Sequence, residues 1–318
     1  MRRLSGARRR EARAVGWRVA VVLAMAIVPS CTGDTGTAEG GGAYIAGESY
    51  FSPSGYVEYI AGDSPVLLTA PHGGYLRPEL LPDRQLGDTG DDDFTQELVR
   101  SIDTALVLAT GRHPHVVICR LHRVKLDCNR DLEEAAEGNA AAAEVWAEYH
   151  ALIDSAKARI VAEFGSGLML DMHGHGRPID RIELGYALTG EQVDLSDEIL
   201  AQPTWVDSTS VRWVQILSGV DLATLLRGVN GLGTLLGARG YPSVPSQDIP
   251  GPGGDPYFTG GYNTRRHGSQ EGGTISAVQV ELYRPGLRDS DEARAMFAAA
   301  MVEALEVYFL AHFNQDLE

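Results

Sequence analysis

Leu168-Met169-Leu170-Asp171-Met172-His173-Gly174-His175-Gly176 opens as a short apolar run and closes on a polar, glycine-flanked turn. A brief apolar run bounded by turn residues reads as a buried strand, here one that ends at His173. Asp171 stands two residues before His173, so both side chains leave the same side of the strand. A carboxylate beside a ligating imidazole orients the ring through its second nitrogen. The layout recurs elsewhere. Pro65-Val-Leu-Leu-Thr-Ala70 is a strand-type run followed at once by Pro71-His72-Gly73-Gly74, and Ile275 to Leu282 is a strand with Glu281 near its end. His115 to Cys119 is another β-rich run.

Helical segments separate these strands. Asp92 to Ala109 places Leu98, Ile102, Leu106 and Ala109 on one face. Leu132 to Phe164 is rich in Ala and Glu and reads as one long helix or a broken pair, and Asp221 to Leu236 is a further helix. Ser290 to His312 is the last, N-capped by Ser290 or Asp289. Tyr241 to Gln270, rich in Gly and Pro, reads as a long loop over a site. Strands alternating with helices predict an α/β fold with a central mixed sheet flanked by helices. Ligands in such sheets gather beyond the carboxyl ends of the strands, so His72, His173 and Glu281 are expected to converge.

The N-terminus reads as an address. Residues 1–18 carry seven arginines, and Val19 to Val28 is an apolar run of signal-peptide length, short of the roughly 20 residues a spanning helix needs. The run ends Val28-Pro29-Ser30-Cys31, and a small residue before a cysteine resembles the lipobox of bacterial lipoproteins. The expected organisation is a signal peptide over 1–30, a Gly/Thr-rich tether over 31–43 with Cys31 lipidated, and one domain over 44–318. That places the chain in the cell envelope, exported and held to a membrane through a lipid anchor only, with simple secretion as the alternative. A net charge of −16 argues against nucleic acid, whose binding needs Lys and Arg on phosphates. Cys119 and Cys128, nine residues apart, either pair in an oxidising compartment or stay as buried thiols.

Other candidates carry a bland reading beside the functional one. Asp91-Asp92-Asp93 opens a helix on this reading, where acids suit the dipole by roughly 0.3–1 kcal/mol each; three are more than capping requires, which leaves one as a ligand. His175 is a second metal candidate or a turn residue. Glu281 alternates with Gln279 on one face, opposite Val278, Val280 and Leu282. It serves as a general base or pairs with Arg284 or Arg288. Arg123-Val-Lys-Leu-Asp127-Cys-Asn129-Arg130 is suited to gripping a carboxylate, or is a charged surface strand. The chain has no Gly-x-Ser-x-Gly elbow, no phosphate loop and no His-Glu-x-x-His.

Pro71-His72-Gly-Gly, Asp92-Asp-Phe-Thr95-Gln-Glu-Leu98, Asp127-Cys-Asn129-Arg130, Tyr149-His150, Asp171-Met-His173, Gly260-Gly261-Tyr-Asn-Thr264-Arg265 and Gln279-Val-Glu281-Leu together resemble, in order, the N-formylglutamate amidohydrolase family. That family is related to zinc carboxypeptidases and shares their α/β (phosphorylase/hydrolase-like) fold. The resemblance implies one zinc ion held by His72, His173 and an acidic third ligand, for which Asp92 matches best. It implies Glu281 as the catalytic carboxylate and Asn129 and Arg130 as the grip on a substrate carboxylate, with Arg265 a second candidate. The implied activity is hydrolysis of an amide bond in an N-acyl amino acid or small peptide that bears a carboxylate. Two departures stand out. The family's reaction is cytoplasmic whereas this chain carries an export signal, and Tyr75 occupies the place of the glutamate in the carboxypeptidase His-x-x-Glu pair. Rival readings are an envelope carboxypeptidase or peptidoglycan-trimming amidase, an esterase, and a ligand-binding lipoprotein without catalysis.

Overall fold

A computed structural model describes residues 44–318; the expected signal peptide, tether and Cys31 lie outside them. Eight strands form one sheet: β1 (Ser49–Phe51), β2 (Val57–Ile60), β3 (Val66–Ala70), β4 (His115–Cys119), β5 (Gly167–Gly174), β6 (Ile182–Gly185), β7 (Ser243–Val244) and β8 (Ile275–Leu282), in the order β1-β2-β4-β3-β5-β8-β6-β7. The central strands β4, β3, β5 and β8 run parallel, while β2 and β6 flank them antiparallel. The sheet is therefore mixed, as the alternation of strands and helices predicts. The carboxyl ends of β3, β5 and β8 lie together along one edge.

Alternation along the strands builds two cores. Leu168, Leu170 and Met172 of β5 and Val278, Val280 and Leu282 of β8 join one, with Leu98, Ile102 and Leu106 of the helix Thr95–Thr110 and Phe297, Met301 and Leu305 of the helix Asp291–His312. Met169 and Ala277 face the other core, with Val145, Tyr149, Ile153 and Ile160 of the helix Ala140–Phe164. Each large apolar side chain so buried contributes roughly 1.5–3 kcal/mol. Asp171, His173, Gln279 and Glu281 continue the face of Met169 and Ala277, beyond the reach of the second core.

Several boundaries differ from the sequence reading. Asp91-Asp92-Asp93 does not open the first helix: Phe94 takes a left-handed φ of 66° and the helix begins at Thr95. The acids lie in the preceding loop, where Thr95 Oγ1 donates to the Asp92 carbonyl at 2.9 Å. The stretch Leu132 to Phe164 is a broken pair, Leu132–Ala136 and Ala140–Phe164, interrupted by left-handed Glu137 and Gly138 and restarted by Asn139, whose side chain caps the Ala142 N–H. Asp221 to Leu236 breaks likewise into Leu222–Arg227 and Leu232–Gly237. Ser290, not Asp289, caps the last helix. The loop Tyr241 to Gln270 contains β7 and the short helix Tyr262–His267. Cys119 and Cys128 are free buried thiols.

Candidate metal centre

Strand register sets the frame. Asp171 on β5 lies beside Gln279 on β8, His173 beside Glu281, and Thr69 on β3 beside Asp171. His72 follows β3 by two residues. Its carbonyl accepts from the Asp92 N–H at 3.2 Å, which draws the acidic loop onto the end of the sheet. Gly73 permits this approach, because a Cβ there would overlap Thr95 Oγ1 at the head of the helix.

Asp92, His72 and His173 are all buried, at 7%, 1% and 2% exposure. Nδ1 of His72 and Nδ1 of His173 lie 3.1 and 3.0 Å from the same Asp92 oxygen, Oδ2. The other ring nitrogens face away: His72 Nε2 is 2.7 Å from Asp127 Oδ1 and His173 Nε2 is 2.8 Å from Asp171 Oδ2. Each imidazole thus turns one nitrogen to a buried carboxylate and the other to a shared point. One ligand atom from each of the three residues falls within 4.8 Å of the others. Two imidazoles and a carboxylate with fixed outer partners are the donor set of a divalent-metal site, and the residues fit such an ion.

The buried carboxylates and imidazoles perturb one another strongly. Burial raises the Asp92 carboxyl, but His72 and His173 outweigh it and hold the group far below the usual carboxylate range. Burial likewise raises Asp127 and Asp171, and their histidines and hydrogen-bond donors bring both down. Burial pushes Glu281 up to about 7, against the lowering pull of His173. Glu281 makes neither of the ion pairs open to it from sequence. Arg284 pairs with Asp93 at 2.8 Å, and Arg288 donates to backbone carbonyls of Leu282, Asp93 and His175. Its partner is Gln279, whose Nε2 donates to Glu281 Oε1 at 2.7 Å.

His72, Asp92, His173, Glu281, Asn129, Arg130 and Arg265 all line one cavity of about 820 Å³. The structure distributes them unequally. The Asn129 amide is held inside the wall through Oδ1, which accepts from the Asn263 N–H at 2.8 Å. Arg130 pairs with Glu134 at 2.9 Å. Arg265 is exposed, has no carboxylate partner among the described residues, and makes one long hydrogen bond to Thr259 Oγ1 at 3.4 Å. His175 stands apart from the triad, its Nε2 3.0 Å from the Arg181 carbonyl.

Sequence reasoning did not foresee the roles of Asp127, Arg123 and Asn263. Asp127 accepts from His72, from Arg123 Nε at 2.9 Å and from the Asn129 N–H at 2.9 Å. Arg123 Nη1 lies 3.8 Å from Asp92 Oδ1. The one sequence signal for Asp127 is its place in an Asp-x-Asn turn, which says nothing of a histidine 55 residues earlier.

No protein-family model matches the chain, and no curated protein matches it. Among solved structures the chain is similar to an N-formylglutamate amidohydrolase from Ralstonia eutropha JMP134, at 15% identity and a TM-score of 0.47, over 81% of this chain and 97% of that one. It is similar to an N-acetylmuramyl-L-alanine amidase from Mycobacterium smegmatis, at 14% identity and a TM-score of 0.33, over 76% of this chain and 95% of that one. A succinylglutamate desuccinylase from Chromobacterium violaceum is similar at 14% identity and a TM-score of 0.35, over 86% of this chain and 73% of that one.

Proposed function

We propose that the chain is a metal-dependent amidohydrolase acting on a small carboxylate-bearing substrate, an N-acyl amino acid or short peptide. One observation carries the reading: two Nδ1 atoms converge on one Asp92 oxygen while buried carboxylates hold both opposite nitrogens. A zinc ion held by His72, Asp92 and His173 would supply Lewis acidity, acidifying water and polarising a carbonyl oxygen. Glu281 takes the proton of the attacking water and returns it to the departing amine. Gln279 occupies Glu281 Oε1, which leaves Oε2 for the proton. Burial raises this carboxyl in the metal-free chain, the direction that favours taking up the water's proton and returning it. The substrate carboxylate is assigned first to Arg265, whose guanidinium has no carboxylate partner among the described residues, with Arg130 and Asn129 beside it in the same cavity.

A trimming activity on envelope peptides is the second reading. A cavity of about 820 Å³ is large for an acyl amino acid and has room for several residues. Export and lipidation at Cys31 rest on residues 1–31 alone and favour the same substrates. A binding lipoprotein without catalysis has no use for a buried carboxylate beside the metal residues. Turnover of N-acyl amino acids and envelope peptides by wild type and Glu281→Gln tests the reading. The expected result is retained metal with kcat lower by about 10²–10⁴-fold; full activity in the metal-loaded variant would sink it.

A further inference from the structure

The Gly260-Gly261-Tyr262-Asn263 turn bonds to three of the side chains that surround the metal residues: Asp171, Asn129 and Gln279. Asn263 is fully buried. Its Nδ2 donates to Asp171 Oδ1 at 3.2 Å, and its backbone N–H donates to Asn129 Oδ1 at 2.8 Å. The backbone N–H of Asn129 in turn donates to Asp127, the carboxylate that holds His72. One residue thereby reaches both orienting carboxylates: Asp171 directly, and Asp127 through Asn129. Two positions earlier the Gly261 N–H donates to Gln279 Oε1, and Gln279 donates to Glu281. Only glycine lets the turn come so close, since a Cβ at 261 would overlap the Asn129 amide.

Asp171 shows what this bracing does. Oδ1 accepts from Thr69 Oγ1 at 2.6 Å and from Asn263 Nδ2, while Oδ2 faces His173 Nε2. Two donors on Oδ1 keep the carboxylate from turning, so Oδ2 takes the Nε2 proton. With the proton fixed on Nε2, the Nδ1 lone pair of His173 would be available to a metal ion at the point shared with Asp92. Without the Asn263 donor, Asp171 is held on one side only, and the tautomer and tilt of His173 are less fixed. Direct partners of a ligating histidine, as Asp171 is of His173, change metal affinity by about 10–100-fold, and Asn263 acts through that partner. The turn has its own anchor, because His267 at the end of its helix lies 2.8 Å from His150 on the helix Ala140–Phe164.

We propose that Asn263 is a positioning residue that sets His173 through Asp171 and couples it to His72 through Asn129. The inference rests on the metal-hydrolase reading above. The test is zinc affinity of the purified full chain, measured by competition with a chromophoric chelator, alongside thermal melting of the metal-free chain. Asn263→Ala should weaken zinc binding by about 10-fold, the low end of the range for a direct partner of a ligand, and shift the visible spectrum of the cobalt-substituted chain. Thr69→Val, which removes the other donor on Asp171 Oδ1, should weaken zinc binding in the same direction, and Thr69→Ser should restore it. A purely structural role would lower the melting temperature and leave zinc affinity within about twofold of wild type, which would overturn the proposal. If Asn263→Ala does not fold, Asn263→Leu, which keeps the volume and removes the donor, decides by the same criterion. Wild type that binds no zinc would bring down the metal reading and this inference together. Wild type that binds zinc while the variants match it would overturn the inference alone.

Discussion

At the level of single residues, the centre depends on carboxylates that no metal would touch. Asp127 is fully buried and satisfies three donors, those of His72, Arg123 and Asn129. Asp127→Asn keeps its shape but turns a donor toward one of these partners. Zinc affinity should fall by about 10–100-fold, read by chelator competition, with the metal-free chain still folded. Unchanged affinity would mean that the His72 ring is held by other means. The contrast between Asp171 and Asp127 also shows what was legible in the sequence. Asp171 sits two residues from its histidine on one strand, so strand periodicity alone pairs them. Asp127 reaches His72 only because β3 and β4 are neighbours in the sheet, and no local pattern records that adjacency. Asp92 stands out in the sequence by its run of acids and by resemblance, yet the run gains nothing from a helix dipole, because the helix starts at Thr95.

At the level of elements, the long strands were legible as apolar runs, buried along nearly their whole length, and the first helix by the three-to-four spacing of its buried side chains. β8 runs Ile275–Leu282 as its alternation predicts, and β5 extends through His173 to Gly174. The breaks were harder. Glu137 and Gly138 interrupt an Ala-rich helix whose composition alone favours continuity, and the signals are local: Gly138 in the left-handed region and Asn139 as a cap. β1, β2, β6 and β7 leave no pattern in the sequence. They are two to four residues long, too short for a period to show. The helix Asp291–His312 braces the face of the sheet opposite the site. Its Phe297 is fully buried and meets Tyr241 edge-on at 5.0 Å between centroids. Phe297→Ala should cost about 3–5 kcal/mol of stability, read from urea unfolding. Zinc affinity should stay near wild type, since the residue lies on the far face. A large loss of affinity in the folded variant would show that the two faces are coupled.

At the level of the whole molecule, buried neutral histidines tie stability to pH. Burial lowers His115 to about 4 and, with His267 and Arg266 nearby, lowers His150 to about 3, against an ordinary value of 6.5. The His115 ring accepts the Gly62 N–H at Nδ1 and lies 2.7 Å from the Tyr59 hydroxyl, an arrangement that protonation of Nδ1 would break. Below about pH 6.5 the unfolded chain takes up protons that the folded chain refuses until about 4, so stability falls as pH drops through that window. Urea midpoints should decline from pH 7 to pH 4.5, and His115→Gln should flatten part of the decline; a midpoint independent of pH there would contradict the burial assignment. The fold class was legible because alternating elements leave few topologies open, whereas the cavity formed by several loops was not. The central claim is that three buried residues from separate parts of the chain hold one metal ion. Metal analysis of the purified chain, wild type against His173→Ala, tests it most directly. The account predicts about one zinc per wild-type chain and a large loss in the variant; wild type that stays free of metal after zinc is supplied would contradict it.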